Sequence, residues 1–323
     1  MVYKSTGIWY KVKDLNNTFF ECRIKGNFKT KNIKSTNPIA VGDKVSFNLI
    51  DEGDRKIGII NKIFKRDNYI VRKSVKLSKE SHIIASNIDQ VFLFITLNNP
   101  PTSFNFIDRF LVAAEAFKIK VVLVFNKMDT YSKNDFKDIE IIYKTYKSIN
   151  YDCYKISSFS IPDIFSIKKI MNRKVNMFCG HSGVGKSTLL NSISPNLNVK
   201  TSKISEVNNS GKHTTTFAEM FDIENQIRII DTPGIKGFGL VDFDNDKLPQ
   251  EKFDIIISLY SLDYHYNFNI YKDYLDKVMK SESILIIDTI RPDFFKTIFK
   301  KVEVIKQDID TVHKSKRIIC KNQ

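Results

Sequence analysis

Between Gly180 and Thr188 the chain reads Gly-His-Ser-Gly-Val-Gly-Lys-Ser-Thr. Glycines, a lysine and a hydroxyl at this spacing are suited to holding phosphate. The string fits the pattern G-x-x-x-x-G-K-[ST] at every fixed position. Gly180, Gly183 and Gly185 let the backbone curl tightly and aim its N–H groups inward, and His181, Ser182, Val184 and Thr188 complete the loop. Lys186 can reach the β- and γ-phosphates and act on charge that develops there, and Ser187 can hold Mg²⁺. Such a loop needs a strand before it and a helix after it. The apolar run 175–179 reads as a buried parallel strand, and 188–193 can begin a helix. A turn that binds nothing would not need those flanks.

A second set of residues addresses a base. The apolar run 121–125 leads into Asn126-Lys-Met-Asp129. N-K-x-D after a buried strand is a guanine-reading element: the Asp129 carboxylate accepts from guanine N1–H and the exocyclic amine, a pattern adenine does not offer. Asn126 meets the other edge of the base and Lys127 covers its face. A further strand, 151–156, ends in Ser157 and Ser158, where a loop can back the base. Beyond the phosphate loop come Gly211-Lys-His-Thr-Thr-Thr216, a strand at 226–230, and Asp231-Thr-Pro-Gly234. Asp231 can hold Mg²⁺ through water, the Gly234 N–H can sense the γ-phosphate, and Thr214 or Thr215 can close the metal's shell. The base-reading loop precedes the phosphate loop, the order of a circular permutation. A sheet tolerates this, because its strands are neighbours in space rather than along the chain.

The elements that position these residues are those of an α/β protein. The run 90–97 is another buried strand, Asn98-Asn-Pro-Pro-Thr102 breaks it, and 107–118 carries Phe110, Leu111, Ala114 and Phe117 on one helical face. Residues 68–90, rich in Lys and Ser, read as a connector. Ahead of it, alternating runs at 19–24, 44–50 and 56–60, with turns at Gly26-Asn, 41–43 and 51–54, predict a small barrel, an OB-fold. Basic residues outnumber acids in that barrel, and Trp9, Tyr10, Phe19, Phe20 and Phe28 are either base-stacking faces or barrel core. The whole chain of 323 residues carries a net charge of +15. That balance favours a polyanionic partner, although a Lys-, Asn- and Ile-rich genome would also produce it.

Composition excludes several classes. No stretch approaches the ~18 apolar residues of a membrane span, and the first residues lack an apolar leader, so a cytoplasmic protein with no membrane partner is expected. A monomer is expected as well. Cys22, Cys153, Cys179 and Cys320 form no C-x-x-C pair, which supports neither a disulfide framework nor a zinc site. His82, His265 and His313 show no ligand spacing.

With this permuted order and a basic barrel in front, the chain resembles the RsgA (YjeQ) family, circularly permuted GTPases of small-ribosomal-subunit maturation. The resembling strings are Asn105-Phe-Ile-Asp-Arg-Phe-Leu-Val112, 180–188, 211–216 and Asp231-Thr-Pro-Gly-Ile-Lys-Gly-Phe-Gly239. The resemblance covers residues 1 to about 245. It implies GTP and GDP as ligands, hydrolysis stimulated by the small subunit, Mg²⁺ as cofactor, and an OB domain on 16S rRNA. It also implies a water-orienting role for His213, whose alternative is an exposed loop residue. Ile235 stands where Ras-like enzymes carry a water-orienting glutamine, so slow intrinsic turnover is expected.

The resemblance stops at the C-terminus. The family's zinc domain, three cysteines and a histidine close together, is missing, so no zinc is expected. Residues 246–323 instead predict a βαβαββ, Rossmann-like segment: strands at 252–259, 283–288, 301–305 and 317–320, helices at 271–279 and 292–299. It is similar to the C-terminal half of a class I methyltransferase, without the glycine-rich loop for S-adenosylmethionine, so that cofactor is not expected. A fusion, a degenerate domain or a join introduced near residue 245 would each give this pattern. The expected division is 1–75 OB-fold, 76–245 permuted GTPase, 246–323 Rossmann-like half-domain. Two further readings remain beside the GTPase: a non-catalytic, GTP-dependent RNA-binding assembly factor, and a fusion with a degenerate methyltransferase segment.

Overall fold

The computed structural model describes residues 1–25, 38–53, 55–73, 81–197, 199, 217–234, 253–258, 279–289, 301–306 and 316–321. They divide into two compact units, Met1–Asp242 and Phe243–Gln323.

The centre of the first unit is a parallel sheet. Its strands are β8 (Gln90–Ile95), β9 (Lys120–Phe125), β10 (Asp152–Lys155), β11 (Val175–Cys179) and β13 (Ile227–Asp231), in the spatial order β10-β9-β8-β11-β13. Every neighbouring pair among these five is parallel. β8 and β11 are buried along their whole length, as strands covered on both faces must be, and this is why they read as continuous apolar runs. Phe92, Phe94, Val122, Val124 and Phe178 form one core with Ile167 and Met171 of α3 (Ile161–Met171) and Leu189 and Leu190 of α4 (Lys186–Ile193).

The helices begin where the sequence offers a cap. Ser103 accepts from Phe106 N and opens α1 (Phe104–Ala116), whose buried face is Phe106, Ile107, Phe110, Leu111, Ala113 and Ala114. Ser132 and Asp135 cap each other reciprocally at the start of α2 (Lys133–Ser148). Ser160 caps α3, which has a proline in its first turn.

The sheet does not stop at β13. β12 (Glu219–Ile223) pairs antiparallel with it, and on its other edge β12 pairs with β1 (Val2–Ser5). From there the order runs β1-β2-β3-β5-β4 through β2 (Tyr10–Lys13), β3 (Phe19–Ile24), β5 (Arg55–Ile63) and β4 (Val45–Glu52). Val2, Tyr10, Val12, Cys22, Ile39 and Ile60 pack into a separate small core there. Of the five aromatics offered as stacking faces, Tyr10 is fully buried in that core and Phe20 packs against it, whereas Trp9 and Phe19 remain exposed. Phe28 lies outside the described residues.

The stretch 68–90 is more than a connector. It contains a hairpin of β6 (Tyr69–Lys73) and β7 (Ser81–Ser86), with Val71 and Ile83 packed on Ala40. Its edge holds a buried ion pair. Asp43, 0% exposed, accepts from Arg66 Nε and Nη2 at 2.6 Å each, from Ser86 Oγ at 2.6 Å and from Ala40 N at 2.9 Å. The remaining Arg66 contact is Nη2 to Pro38 O at 2.8 Å. A backbone bond from Val2 N to Asp43 O ties this cluster to β1.

The second unit holds a four-stranded sheet, β14-β15-β17-β16, from β14 (Phe253–Ser258), β15 (Met279–Thr289), β16 (Lys301–Lys306) and β17 (Lys316–Lys321). β14 and β15 are parallel, and β17 runs antiparallel to both β15 and β16. The four strands occur where the apolar runs predict them. Met279, expected to end a helix, instead begins β15; the rest of that helix and the one at 292–299 fall outside the described residues.

Truncating one partner of a buried ion pair leaves the other charge stranded. Asp43→Ala is expected to cost about 3–5 kcal/mol, seen as a lower denaturation midpoint of the first unit, while Lys44→Ala on the exposed Lys44–Asp67 pair costs under ~1 kcal/mol.

Candidate nucleotide-binding site

The phosphate-loop residues lie at the C-terminal end of β11, where the parallel sheet opens toward solvent. Three glycines carry the turn with positive φ: Gly180 at 144°, Gly183 at 86° and Gly185 at 98°. The space is as restrictive as the dihedral. A Cβ on Gly180 would sit 2.8 Å from Phe94 O, and one on Gly185 would collide with Asn126 Nδ2. Lys186 and Ser187 begin α4, so the loop feeds directly into a helix N-terminus.

Lys186 is only 6% exposed, and its Nζ donates to Gly180 O at 3.0 Å and His181 O at 2.9 Å. Burial lowers its pKa below the ordinary lysine value, and the Asp231 carboxylate pulls it part of the way back. Asp231, 1% exposed, ends β13 in register with Phe178 of β11, one strand from the loop. Thr232 Oγ1 donates to Phe178 O at 2.7 Å and fixes the chain as it leaves the strand. Gly234 then lies directly on Ser182: a Cβ there would stand 2.5–2.7 Å from Ser182 N, Cα and Cβ.

The base-reading residues reach the same place from β9. Asn126 is 1% exposed; its Nδ2 donates to Val184 O at 2.8 Å, inside the phosphate loop, and its Oδ1 accepts from Ser158 Oγ at 3.0 Å. Thus 126, 158 and 184 form one connected unit. Lys127 takes a left-handed φ of 66° and its Nζ donates to Asn99 O. Burial lowers its pKa, with Asp129 acting against that shift. Asp129 sits exposed in a short 3-10 turn, Met128–Thr130, with its carboxylate accessible to a ligand. Ser157 and Ser158 are buried; Ser157 N donates to Asp163 Oδ2 at 2.9 Å, which stiffens the loop behind the base position.

His213, Thr214, Thr215 and Ile235 lie outside the described residues. Among the described residues no three His, Cys, Asp or Glu side chains cluster as metal ligands. The groups present are a hydroxyl at Ser187 and a carboxylate at Asp231, hard oxygen donors of the type Mg²⁺ takes when phosphates supply the rest, so the residues fit that ion. Burial pushes the thiols of Cys22 and Cys179 up to about 12 and that of Cys153 to about 11. The sequence alone gives no site role to Asn99, Tyr131 or Phe106. Tyr131 OH donates to Asn126 O at 3.1 Å and accepts from Leu97 N at 3.0 Å, and Phe106 stacks on His181. Asn99 and Tyr131 belong to no motif; Phe106 stands in the family-like string 105–112, which names no contact for it.

Comparison with known proteins agrees with this geometry. The RsgA N-terminal domain model matches residues 1–60 and the RsgA GTPase model residues 63–241. The chain belongs to the RsgA family. Relatives named small ribosomal subunit biogenesis GTPase RsgA are 57% identical over 247 residues in Christiangramia forsetii and 56% over 248 in Flavobacterium psychrophilum. The alignments cover 76% and 77% of this chain and 78% and 76% of the relatives. Among solved structures, YjeQ from Thermotoga maritima is similar with a TM-score of 0.54 at 29% identity, covering 72% of this chain and 73% of that one. YloQ, described as a circularly permuted GTPase, gives 0.51 at 28%, covering 76% and 75%. A further family model, described as a 50S ribosome-binding GTPase, matches residues 176–314. The RsgA family is one of GTPases, and the permuted order read from the sequence is its order.

A methyl group at Gly185 would meet both a forbidden dihedral and the Asn126 amide. Gly185→Ala is expected to break the Asn126–Val184 bond and weaken GDP binding at least ~10-fold, read by titration with a fluorescent guanine nucleotide.

Proposed function

We propose that this chain hydrolyses GTP to GDP and phosphate in the service of small-ribosomal-subunit maturation, binding rRNA as it does so. The observation that carries the proposal is the Asn126–Val184 bond, which makes a base reader and a phosphate cradle parts of one site. Support for the ribosomal role comes from the names of relatives at 57% and 56% identity over three quarters of the chain. They outweigh the 50S description of the family model that matches 176–314, because they cover more of the chain.

Each residue has a role its chemistry suits. Asn126, Lys127 and Asp129 read and cover guanine, with Ser157 and Ser158 behind it. The backbone of 180–188 cradles the phosphates, and the Gly234 N–H senses the γ-phosphate. Mg²⁺ would be held by Ser187, by Asp231 through water and by Thr214 or Thr215; it supplies neutralisation of phosphate charge. Lys186, already held by two carbonyls, presents its remaining proton to the phosphate oxygens where negative charge grows. His213 orients the attacking water when a partner is bound. Ile235 offers no amide for that task, so turnover of the isolated protein is slow.

The N-terminal strands serve as an OB-fold for rRNA. Supporting this, the order β1-β2-β3-β5-β4 contains a parallel β3–β5 pair within an otherwise antiparallel meander. On its surface Trp9 and Phe19 are exposed, with Lys11 Nζ 4.5 Å and Lys13 Nζ 5.5 Å from the Phe19 ring centroid, a stacking face beside cations. We assign 1–75 to this domain, 76–245 to the permuted GTPase and 246–323 to a Rossmann-like half-domain. The parallel β14–β15 pair with antiparallel strands on its edge supports the last, since doubly wound sheets commonly end that way. The protein acts in the cytoplasm as a monomer, and none of its described helices is long and apolar enough to cross a membrane.

The test is GTP hydrolysis with and without purified small subunits. Stimulation that drops at least ~100-fold in Lys186→Ala is expected. Asp129→Asn should favour xanthine nucleotides over guanine ones, because an amide can donate to the carbonyl that replaces guanine's exocyclic amine. Tight GTP binding without stimulated turnover would instead identify a non-catalytic assembly factor.

A further inference from the structure

The phosphate-loop pattern leaves position 181 open, yet the side chain there is engaged. The His181 ring lies on Phe106 with centroids 4.2 Å apart and planes inclined by 39°. Phe106 is 5% exposed, in the first turn of α1, where its N–H donates to the Ser103 cap and its ring neighbours the fully buried Phe110 at 6.4 Å. One partner of the stack is therefore anchored in the core, and the other belongs to the loop.

What the stack holds is the peptide between His181 and Ser182. On one side, His181 O accepts from Lys186 Nζ at 2.9 Å. On the other, the Ser182 backbone meets Gly234 so closely that no Cβ fits between them. Rotation of that peptide would move the lysine's acceptor and the surface on which Gly234 rests together. The second half of the loop is held independently, by the Gly183 and Gly185 dihedrals and by Asn126 on Val184 O.

We propose that His181 and Phe106 act as a pair of positioning residues for hydrolysis: the stack sets the 181–182 peptide, and through it both Lys186 and the seat of Gly234. The inference rests on the GTPase reading of the site. It assigns the ring a role through its face rather than through proton transfer. Because the base and the remaining phosphate contacts have their own supports, losing the stack should slow the chemical step far more than it weakens binding.

The test uses the full chain, measuring single-turnover GTP hydrolysis and GDP affinity for the wild type, His181→Ala, His181→Phe and Phe106→Leu. His181→Ala and Phe106→Leu are expected to slow hydrolysis about tenfold with GDP affinity changed less than about twofold, and His181→Phe to stay near wild type. Unchanged hydrolysis in His181→Ala overturns the proposal. So does a parallel fall in GDP affinity, which would mark a merely structural contact. His181→Phe as slow as His181→Ala also overturns it, because the imidazole would then act by itself. A wild-type chain that binds GTP but does not turn it over even with small subunits added sinks the underlying reading together with this one, and is recognised before any variant is compared.

Discussion

A hydrogen bond between two loops, Asn126 Nδ2 to Val184 O, governs the architecture around it. It can form only if the strand ends carrying the two loops, β9 and β11, open on the same edge of one sheet. β8 lies between them, fully buried and parallel to both, and sets their separation. The geometry of the phosphate loop adds a second demand. Its carbonyl at 184 faces Asn126 because Gly185 turns left-handed and carries no Cβ to block the amide. Ser158 closes the arrangement from a third strand, β10. Chain order enters nowhere in these constraints, and so a circular permutation preserves the site intact.

The same indifference to chain order explains how the N-terminal strands attach. β12 has one edge on β13, which ends in Asp231, and the other on β1. Few backbone bonds join β12 to β1, but side chains reinforce the joint: Lys4 to Glu219 at 2.7 Å, Lys13 to Asp222 at 2.7 Å, and Tyr3 OH to Asp222 Oδ1 at 2.7 Å. Partly exposed pairs like these add modestly to stability. Their greater consequence is direction. They give basic residues of β1 and β2 an acidic counterpart on β12 and so set how the N-terminal strands meet the neighbour of β13.

The parts of this structure that could be read in the sequence share a cause, and so do the parts that could not. β8, β9 and β11 are buried on both faces, and such strands announce themselves as mostly apolar runs, broken only by the buried Asn176 in β11 and by a polar first residue in β8 and β9. The loops at their ends are legible because ligand chemistry restricts residue type at each position, which is why even the exposed Asp129 stands out. β12, β6 and β7 were missed for the opposite reason. β6 and β7 are short and mix Arg, Lys, Ser and His with their buried Ile, Val and Ala, and β12 is half-covered and held by residues more than two hundred positions away, whose spacing leaves no periodic trace. Phe106 and His181 fall between these cases: one stands in a family-like string just ahead of the expected helix, the other at a variable position of the phosphate loop, and only their juxtaposition gives either a role. An amphipathic stretch running up to Met279 predicts a helix there, whereas Met279 opens the long strand β15.

Lys186 shows why the site is built this way. An ammonium buried to 6% exposure loses most of its water, and that loss opposes its charge. Two carbonyls of the loop and the nearby Asp231 carboxylate restore part of what solvent supplied. The lysine is thus already desolvated and oriented before a phosphate arrives, so little of the binding energy goes into ordering it. On the proposed reading of the site, phosphate oxygens entering the loop would meet a cation in a region of low effective dielectric, where attraction is stronger than at the surface. A flexible, hydrated lysine at the same position would bind phosphate as well in the ground state as in the transition state. A fixed one favours whichever state places more negative charge at its tip, and in phosphoryl transfer that is the state the reaction must pass through.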